Sequence, residues 1–117
     1  MNENSRIHDL IITIVNRGLA DDVVDASKTA GATGGTIIHG RGTGIHETAK
    51  LFGIPIEPEK DIVLTLVEHS MTESVLNAVN EALELYKPGK GIAFVLDVEK
   101  TIGINHSYLK TEEQAEV

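Results

Sequence analysis

The sequence predicts an α+β fold in which two strand–helix–strand units share one antiparallel sheet. Segments 8–15 and 61–67 are nearly continuous apolar runs, typical of strands buried on both faces. Each is followed by apolar residues at three-to-four spacing, which indicates an amphipathic helix. Further β-like runs follow at 35–41 and 91–98. Two such units, joined by a long loop between strands two and three, predict a four-stranded ferredoxin-like sandwich with both helices on one face.

Each predicted helix has recognisable start or stop signals. The first spans 19–30, and Gly31 is placed to end it with a left-handed residue. The second is predicted to begin at Ser70, because Ser70 and Glu73 match the capping-box pattern. Its apolar stripe continues to Tyr86, so the pattern predicts that Pro88-Gly89 stops it.

The predicted sheet is apolar on more than one face. Ile92, Phe94 and Leu96 alternate with Ala93 and Val95 along the fourth strand. Two helices cover only one face of a sheet, so the other face needs a second layer. We therefore expect an oligomer.

Composition limits the classes of function. The chain has 117 residues, enough for a single domain over 1–117, and no cysteine, which excludes disulfides and zinc–thiolate sites. Its net charge of -8 and 3% aromatic content argue against a nucleic-acid partner. No apolar run approaches a membrane span and no secretory signal is visible, so we expect no membrane insertion and a cytoplasmic location.

The loop over 42–60 has no clear period but carries large apolar side chains. These are Leu51, Phe52, Ile54 and Ile56. Loops this long inside a small domain are usually functional. The apolar residues either pack on this domain or a neighbouring subunit, or form a docking surface for another protein. The tail over 105–117 is polar.

Two glycine-rich segments are candidates for ligand binding. In the stretch over 31–44, Gly42 and Gly44 would allow close approach of a ligand, although a bulged turn is the simpler alternative. The amides of Gly89, Lys90 and Gly91 suit an anion-binding nest, with a plain helix cap as the alternative. Arg41 and Lys60 flank the loop and are candidate phosphate cations, or ordinary solvated charges.

At these residues the chain resembles the PII nitrogen-regulatory signal proteins. The resemblance covers 8 to about 104. Gly35-Thr36-Ile37 is similar to the family's G-M-T-V, and Gly42-Thr43-Gly44 to its G-F-G. The segment over 89–99, Gly-Lys-Gly-Ile-Ala-Phe-Val-Leu-Asp-Val-Glu, is similar to its G-D-G-K-I-F-V-x-P-V-E.

The resemblance implies a homotrimeric regulator that binds ATP, ADP or AMP between subunits. It places the phosphates near Thr36, Gly42, Gly44, Gly89, Lys90 and Gly91. The 42–60 loop corresponds to the family's T-loop, which contacts partner proteins. The expected partner is a membrane transporter or a metabolic enzyme, contacted through Leu51, Phe52 and Ile54.

Several family side chains are replaced here. A phosphate-binding lysine corresponds to Ile92, and two arginines correspond to Gly103 and Asn105. The family's Arg-Gln after G-F-G corresponds to Ile45-His46. That glutamine helps to hold Mg and 2-oxoglutarate, so its loss puts both ligands in doubt. The pattern indicates a divergent PII-like branch.

Two other functions remain open from the sequence. One is a small phosphate-ester or acyl-phosphate hydrolase of the same fold, using Arg17 or the Gly42–His46 loop; no catalytic triad order is present. The other is a CutA-like metal-binding trimer. The five histidines show no compact ligand pair, and His46-Glu47 is a candidate metal-binding pair in an oligomer.

Overall fold

The backbone follows the predicted order of two strand–helix–strand units. A computed structural model describes residues 7–44, 50–55 and 57–104. The elements are β1 His8–Asn16, α1 Ala20–Thr29, β2 Thr36–Arg41, β3 Lys50–Leu51, β4 Ile54–Pro55, β5 Glu59–Glu68, a 3₁₀ turn His69–Met71, α2 Thr72–Leu83 and β6 Gly91–Val98.

The four long strands form one antiparallel sheet in the order β2-β5-β1-β6. Ile12 at the centre of β1 lies opposite Leu64 of β5 and Phe94 of β6. The two long apolar runs therefore occupy the middle of the sheet, and the predicted ferredoxin-like fold is confirmed.

The core lies between the helices and the odd-numbered face of the sheet. Its fully buried residues include Ile11 and Val63 from the strands and Val23, Val75 and Val79 from the helices. Each buried aliphatic side chain of this kind contributes about 1.5–3 kcal/mol. This face and the two amphipathic helix stripes account for the stability of one protomer.

The even-numbered face of the sheet is apolar, and no described helix packs on it. Its members are Leu10, Ile12, Ile14, Ile38, Ile62, Leu64, Leu66, Ile92, Phe94 and Leu96. Four of them on the outer strands β2 and β6 are 41–57% exposed. Exposed apolar surface of this extent marks an interaction site. We call it the open face.

The first helix ends as predicted. Gly31 has a φ of 117° and follows the last helical residues. The amide of Gly31 donates to the Lys28 carbonyl, and the amide of Ala32 donates to the Ser27 carbonyl. This pair of bonds is the Schellman pattern, in which a residue of positive φ ends the helix.

Both predicted ends of the second helix are wrong. Ser70 lies in the 3₁₀ turn, and no side-chain hydrogen bond caps α2. The helix stops at Leu83, because Glu84 adopts a left-handed conformation with φ 57°. The apolar stripe continues to Leu85 and Tyr86, but these residues belong to the turn before β6 rather than to the helix.

The loop over 42–60 is also more ordered than predicted at its described positions. Strands β3 and β4 pair as a short antiparallel hairpin. Glu59 and Lys60 belong to β5 rather than to the loop. Among the described residues, no helix is long and apolar enough to cross a membrane.

Candidate functional site

The second and fourth strands of the ferredoxin-like core bring the glycine segments together at one end of the sheet. A cleft of about 570 Å³ lies there. It is lined by Ile14, Arg41, Gly42, Thr43, Gly44, Lys60, Ile62, Leu85, Tyr86, Lys87, Pro88, Gly89, Gly91 and Ile92. We call it the loop-end cleft. The C-terminal end of β2 and the N-terminal end of β6 meet here because the strands of the sheet are antiparallel.

Glycine is required at two positions of the cleft wall for different reasons. Gly91 has a φ of 142°, and a Cβ there would lie 2.6 Å from the carbonyl oxygen of Ile14. Gly89 has a φ of 78°, which side chains rarely adopt. Gly42 has open space around its Cβ position, so its lack of a side chain widens the cleft without relieving any clash within the protomer.

The two candidate cations beside the loop both line this cleft. Lys60 lies opposite Asn16 of β1 and Gly40 of β2 in the strand register. Its ammonium donates a hydrogen bond to the Asn16 side-chain oxygen at 2.8 Å. Arg41 ends β2 at the mouth of the cleft. Positive charge therefore enters the cleft from β2 and β5.

Lys90, the lysine predicted to bind phosphate, is not among the lining residues. Its ammonium lies 3.8 Å from the carboxylate of Glu84, which is also 3.4 Å from the ammonium of Lys87. The early end of α2 causes this arrangement, because the left-handed Glu84 faces the turn that carries both lysines.

Thr36 lies at the opposite end of the sheet from the other predicted residues. There it borders a second cleft of about 810 Å³, formed by the segment over 31–36, the ends of β1 and β5, Met71 and Ile104. We call it the far-end cleft. The six residues of β2 separate the two clefts by roughly 20 Å. One protomer therefore does not bring Thr36 and Gly42 to a common ligand.

The β3–β4 hairpin presents the predicted partner-binding residues that the structure describes. Phe52 and Gly53 form its turn with φ values of 52° and 81°, the signs that a type I′ turn requires. Phe52 is 93% exposed and Ile54 is 64% exposed. Leu51 pairs with Ile54 through the backbone. The residues that the structure describes do not include Ile45, His46, Glu47 and Ile56, so the predictions for these positions stay predictions.

Two buried aspartates, which the sequence analysis missed, fix the helix N-termini to the sheet. Asp61 accepts hydrogen bonds from the amides of Gly18 and Ala20 at 2.9 and 3.2 Å, and lies 2.9 Å from Nδ1 of His39. Burial raises the pKa of Asp61, but the bonds from Gly18, His39 and Ala20 outweigh it and hold the pKa below its ordinary value. Since an ionised carboxylate only accepts, Nδ1 of His39 carries the proton.

Asp9 holds the second helix in the same way. The Thr72 hydroxyl donates to its carboxylate at 2.6 Å, and Nδ1 of His69 lies 2.8 Å away. The Thr72 bond and, to a lesser extent, His69 hold the pKa of Asp9 below its ordinary value, against the effect of burial. This contact replaces the predicted capping box. In the sequence, a charged aspartate within each largely apolar strand was the signal that could have predicted these buried contacts.

These two carboxylates should make stability depend on acidity. Because their folded-state pKa values lie below the unfolded value of about 3.9, their contribution is complete above that pH and is lost as pH falls through the folded values. Denaturant titrations between pH 7 and 2 should show this acid loss in the wild type.

The Asp61→Asn variant should be less stable at pH 7 by about 1.5–3 kcal/mol for each weakened charge-assisted bond, and should lose less stability on acidification. Asp21→Asn, at an exposed position, is the matched control. An identical acid loss in the wild type and Asp61→Asn would contradict this role.

The site has no arrangement typical of catalysis or of a bound metal in the part of the chain that the structure describes. No group of three or more histidine, aspartate or glutamate side chains converges there. Arg17, the cation of the hydrolase alternative, forms an ion pair with Glu59 at the base of the loop. At one end of the open face, the site combines exposed glycine backbone with lysine and arginine side chains. The loop that follows β2 carries the exposed β3–β4 hairpin. Such an arrangement suits the binding of a small ligand and of another protein better than it suits catalysis.

The comparison with protein families agrees with this class. The model of the nitrogen regulatory protein P-II family matches residues 8–108, and the chain belongs to that family. A search of curated proteins gave no match. P-II proteins are signal-transduction regulators and not enzymes, so the chain is a regulator and the hydrolase alternative is set aside.

Proposed function

We propose that this protein is a homotrimeric regulator that binds an adenine nucleotide between its subunits and controls a transporter or metabolic enzyme through its hairpin loop. The observation that carries the proposal is the position of the loop-end cleft, which borders both the open face and the loop. A ligand held there contacts the stem of the loop and the subunit boundary together. The family supports a role in nitrogen regulation, and we include a cytoplasmic location in the proposal because P-II proteins are typically cytoplasmic.

The open face supports trimer formation. It carries a continuous set of aliphatic side chains and one phenylalanine over all four strands. Each such side chain that becomes buried contributes about 1.5–3 kcal/mol, so three faces packed around one axis would form a stable second core. P-II proteins are generally trimeric.

The two clefts support a ligand site between subunits. A cyclic trimer uses heterologous contacts, in which two different surfaces of each chain meet. The loop-end and far-end clefts lie at opposite ends of the same open face. We infer that each loop-end cleft adjoins the far-end cleft of a neighbour, so that Gly42 of one chain and Thr36 of the next reach one nucleotide.

The loop-end cleft suits the phosphate portion of that nucleotide. Gly42, Gly89 and Gly91 expose backbone without side chains, and Lys60 and Arg41 supply charge. Phosphate binds well where amides and cations converge. The bulk of Ile92 occupies the position of a family lysine, and for Mg and 2-oxoglutarate the described residues offer no supporting arrangement.

The hairpin supports the proposed contact with a partner protein. Phe52 holds a backbone conformation that is unfavourable for a residue with a side chain, and its ring is exposed. Exposed apolar residues on a turn with unfavourable backbone angles suit insertion into an apolar pocket. Phe52 and Ile54 are therefore the proposed anchors, with Leu51 beside them in the hairpin.

Calorimetry with ATP, ADP and AMP tests this function, and incubation with acetyl phosphate tests the alternative. We expect one of the nucleotides to bind with one site per chain and to remain intact, and acetyl phosphate to be hydrolysed no faster than in buffer. Titration with divalent metals alone should give no heat of binding, unlike a CutA-like metal trimer. Absence of binding by all three nucleotides at millimolar concentration would contradict the nucleotide-sensor function.

A further inference from the structure

The lining of the loop-end cleft divides into two sides that each combine glycine backbone with positive charge. On one side, Arg41 at the end of β2 and Lys60 on β5 line the cleft together with Gly42. On the other side, Lys87 lies in the turn before β6, close in sequence to Gly89. No aspartate or glutamate is among the described residues that line the cleft. The cleft therefore offers an anion positive charge from both sides.

The turn that carries Lys87 holds its backbone in place. Glu84 ends α2 in a left-handed conformation, and the amide of Lys87 donates to the Glu84 carbonyl at 3.0 Å. Between them, Leu85 packs against the core of the protomer. Pro88 follows, and its ring fixes φ at the next position. Lys87 therefore leaves a well-defined turn at the edge of the cleft.

Lys87 and Lys90 share a partner but differ in their access to the cleft. Their ammonium groups lie 3.4 Å and 3.8 Å from the Glu84 carboxylate, and of the two only Lys87 lines the cleft. The pair of Lys87 with Glu84 is partly exposed and therefore weak. A phosphate in the cleft can replace Glu84 as the partner of Lys87, while Lys90 stays beside the carboxylate.

We propose that Lys87 is the phosphate-binding lysine of the turn before β6, and that it favours nucleotides with more phosphates over those with fewer. The inference rests on the proposed nucleotide function. Position 92 at the start of β6 is an isoleucine, so Lys87 is the cation that lines this side of the cleft in the described part of the chain. A phosphate monoester carries about two negative charges near neutral pH, and further phosphates add to them. The attraction of the three lining cations therefore grows with the number of phosphates.

Removal of the Lys87 charge should weaken the binding of ATP more than the binding of AMP. Calorimetry in metal-free buffer at about 0.15 M ionic strength, where exposed charges more than about 8 Å apart are largely screened, gives both affinities. Lys87→Gln should weaken ATP binding about tenfold, the lower end of the range for a charge-assisted bond, because Lys87 is partly exposed. AMP binding should weaken by about threefold or less. Lys87→Arg keeps the charge and should retain most of the affinity for both nucleotides.

Lys90→Gln is the matched control, because it removes the same charge from the same turn and from the same carboxylate partner. Lys28→Gln, at an exposed position on α1, is a control outside the cleft-lining set. Neither should change the ratio of the ATP and AMP affinities by more than about twofold. Circular dichroism and sedimentation on every variant separate loss of binding from loss of folding or assembly.

Three results would overturn this inference while leaving the nucleotide function intact. Equal effects of Lys87→Gln and Lys90→Gln on ATP binding would remove the assignment of Lys87. Equal weakening of ATP and AMP by Lys87→Gln, or a wild type that binds AMP more tightly than ATP, would remove its preference for more phosphates. Failure of AMP, ADP and ATP alike to bind the wild type would instead overturn the nucleotide function and this inference with it.

Discussion

Replacement of Leu64 by glutamate should convert the proposed trimer into folded monomers. Leu64 lies at the centre of the open face, opposite Ile12 of β1 and Thr36 of β2. It also lines the far-end cleft, so in the proposed trimer it would be buried at the boundary with a neighbouring subunit. Three buried carboxylates without partners would cost several kcal/mol each, and the apolar burial that the three leucines provide would disappear as well.

The protomer itself should tolerate this change, because its own core lies on the other face of the sheet. Sedimentation equilibrium at micromolar concentration should give about three times the 12.6 kDa chain mass for the wild type and one chain mass for Leu64→Glu. The exposed helix position Asn77, changed to glutamate, is the control and should remain trimeric. A wild type that sediments as a monomer, or a trimeric Leu64→Glu, would contradict the role of the open face.

Replacement of Gly42 by valine should weaken nucleotide binding strongly while leaving the fold and the proposed trimer intact. The Cβ position of Gly42 has no atom within 4 Å in the protomer, and its φ is not positive, so a side chain fits without strain. Its amide bond to the Pro58 carbonyl uses backbone alone and remains. The valine methyl groups would occupy space that the phosphate needs.

The expected loss of affinity is about tenfold to a hundredfold or more, corresponding to the usual cost of added bulk in a filled site. Ala82→Val on the exposed surface of α2 adds comparable bulk elsewhere and should bind normally. Gly91→Ala is unsuitable as a comparison, because its Cβ would lie 2.6 Å from a backbone oxygen and disturb the fold itself. If the wild type binds a nucleotide and Gly42→Val binds it equally well, the phosphate lies elsewhere.

The sequence predicted the sheet well, because its strongest signals are long and local. In β1 and β5 one face carries Leu10, Ile12, Ile14, Ile62, Leu64 and Leu66, and the other carries Ile11, Val15, Val63 and Val67. The doubly apolar sheet also predicted the open face. Gly31 was predicted correctly as a helix terminator because its requirement for positive φ is local.

The errors came from contacts between distant parts of the chain. The start of α2 is held by Asp9, 63 residues before Thr72, and no local pattern such as Ser70 with Glu73 reports that contact. Strands β3 and β4 have two residues each, too short for a period. Lys90 was predicted to add charge at an anion-binding nest with Gly89 and Gly91, and the structure places its ammonium 3.8 Å from the carboxylate of Glu84.

The proposed position of the nucleotide between subunits can be tested most directly with mixed trimers. Gly42→Val blocks the loop-end cleft, and Gly34→Phe blocks the far-end cleft at a glycine whose Cβ position is also open. Each variant alone should bind nucleotide at least about tenfold more weakly than the wild type. When the two chains are unfolded together and refolded in equal amounts, about one interface in four should join an intact loop end to an intact far end. We predict that calorimetry on the mixture recovers about a quarter of a site per chain, with wild-type affinity. A mixture that binds no nucleotide, beside a wild-type trimer that does, would contradict a site shared between subunits.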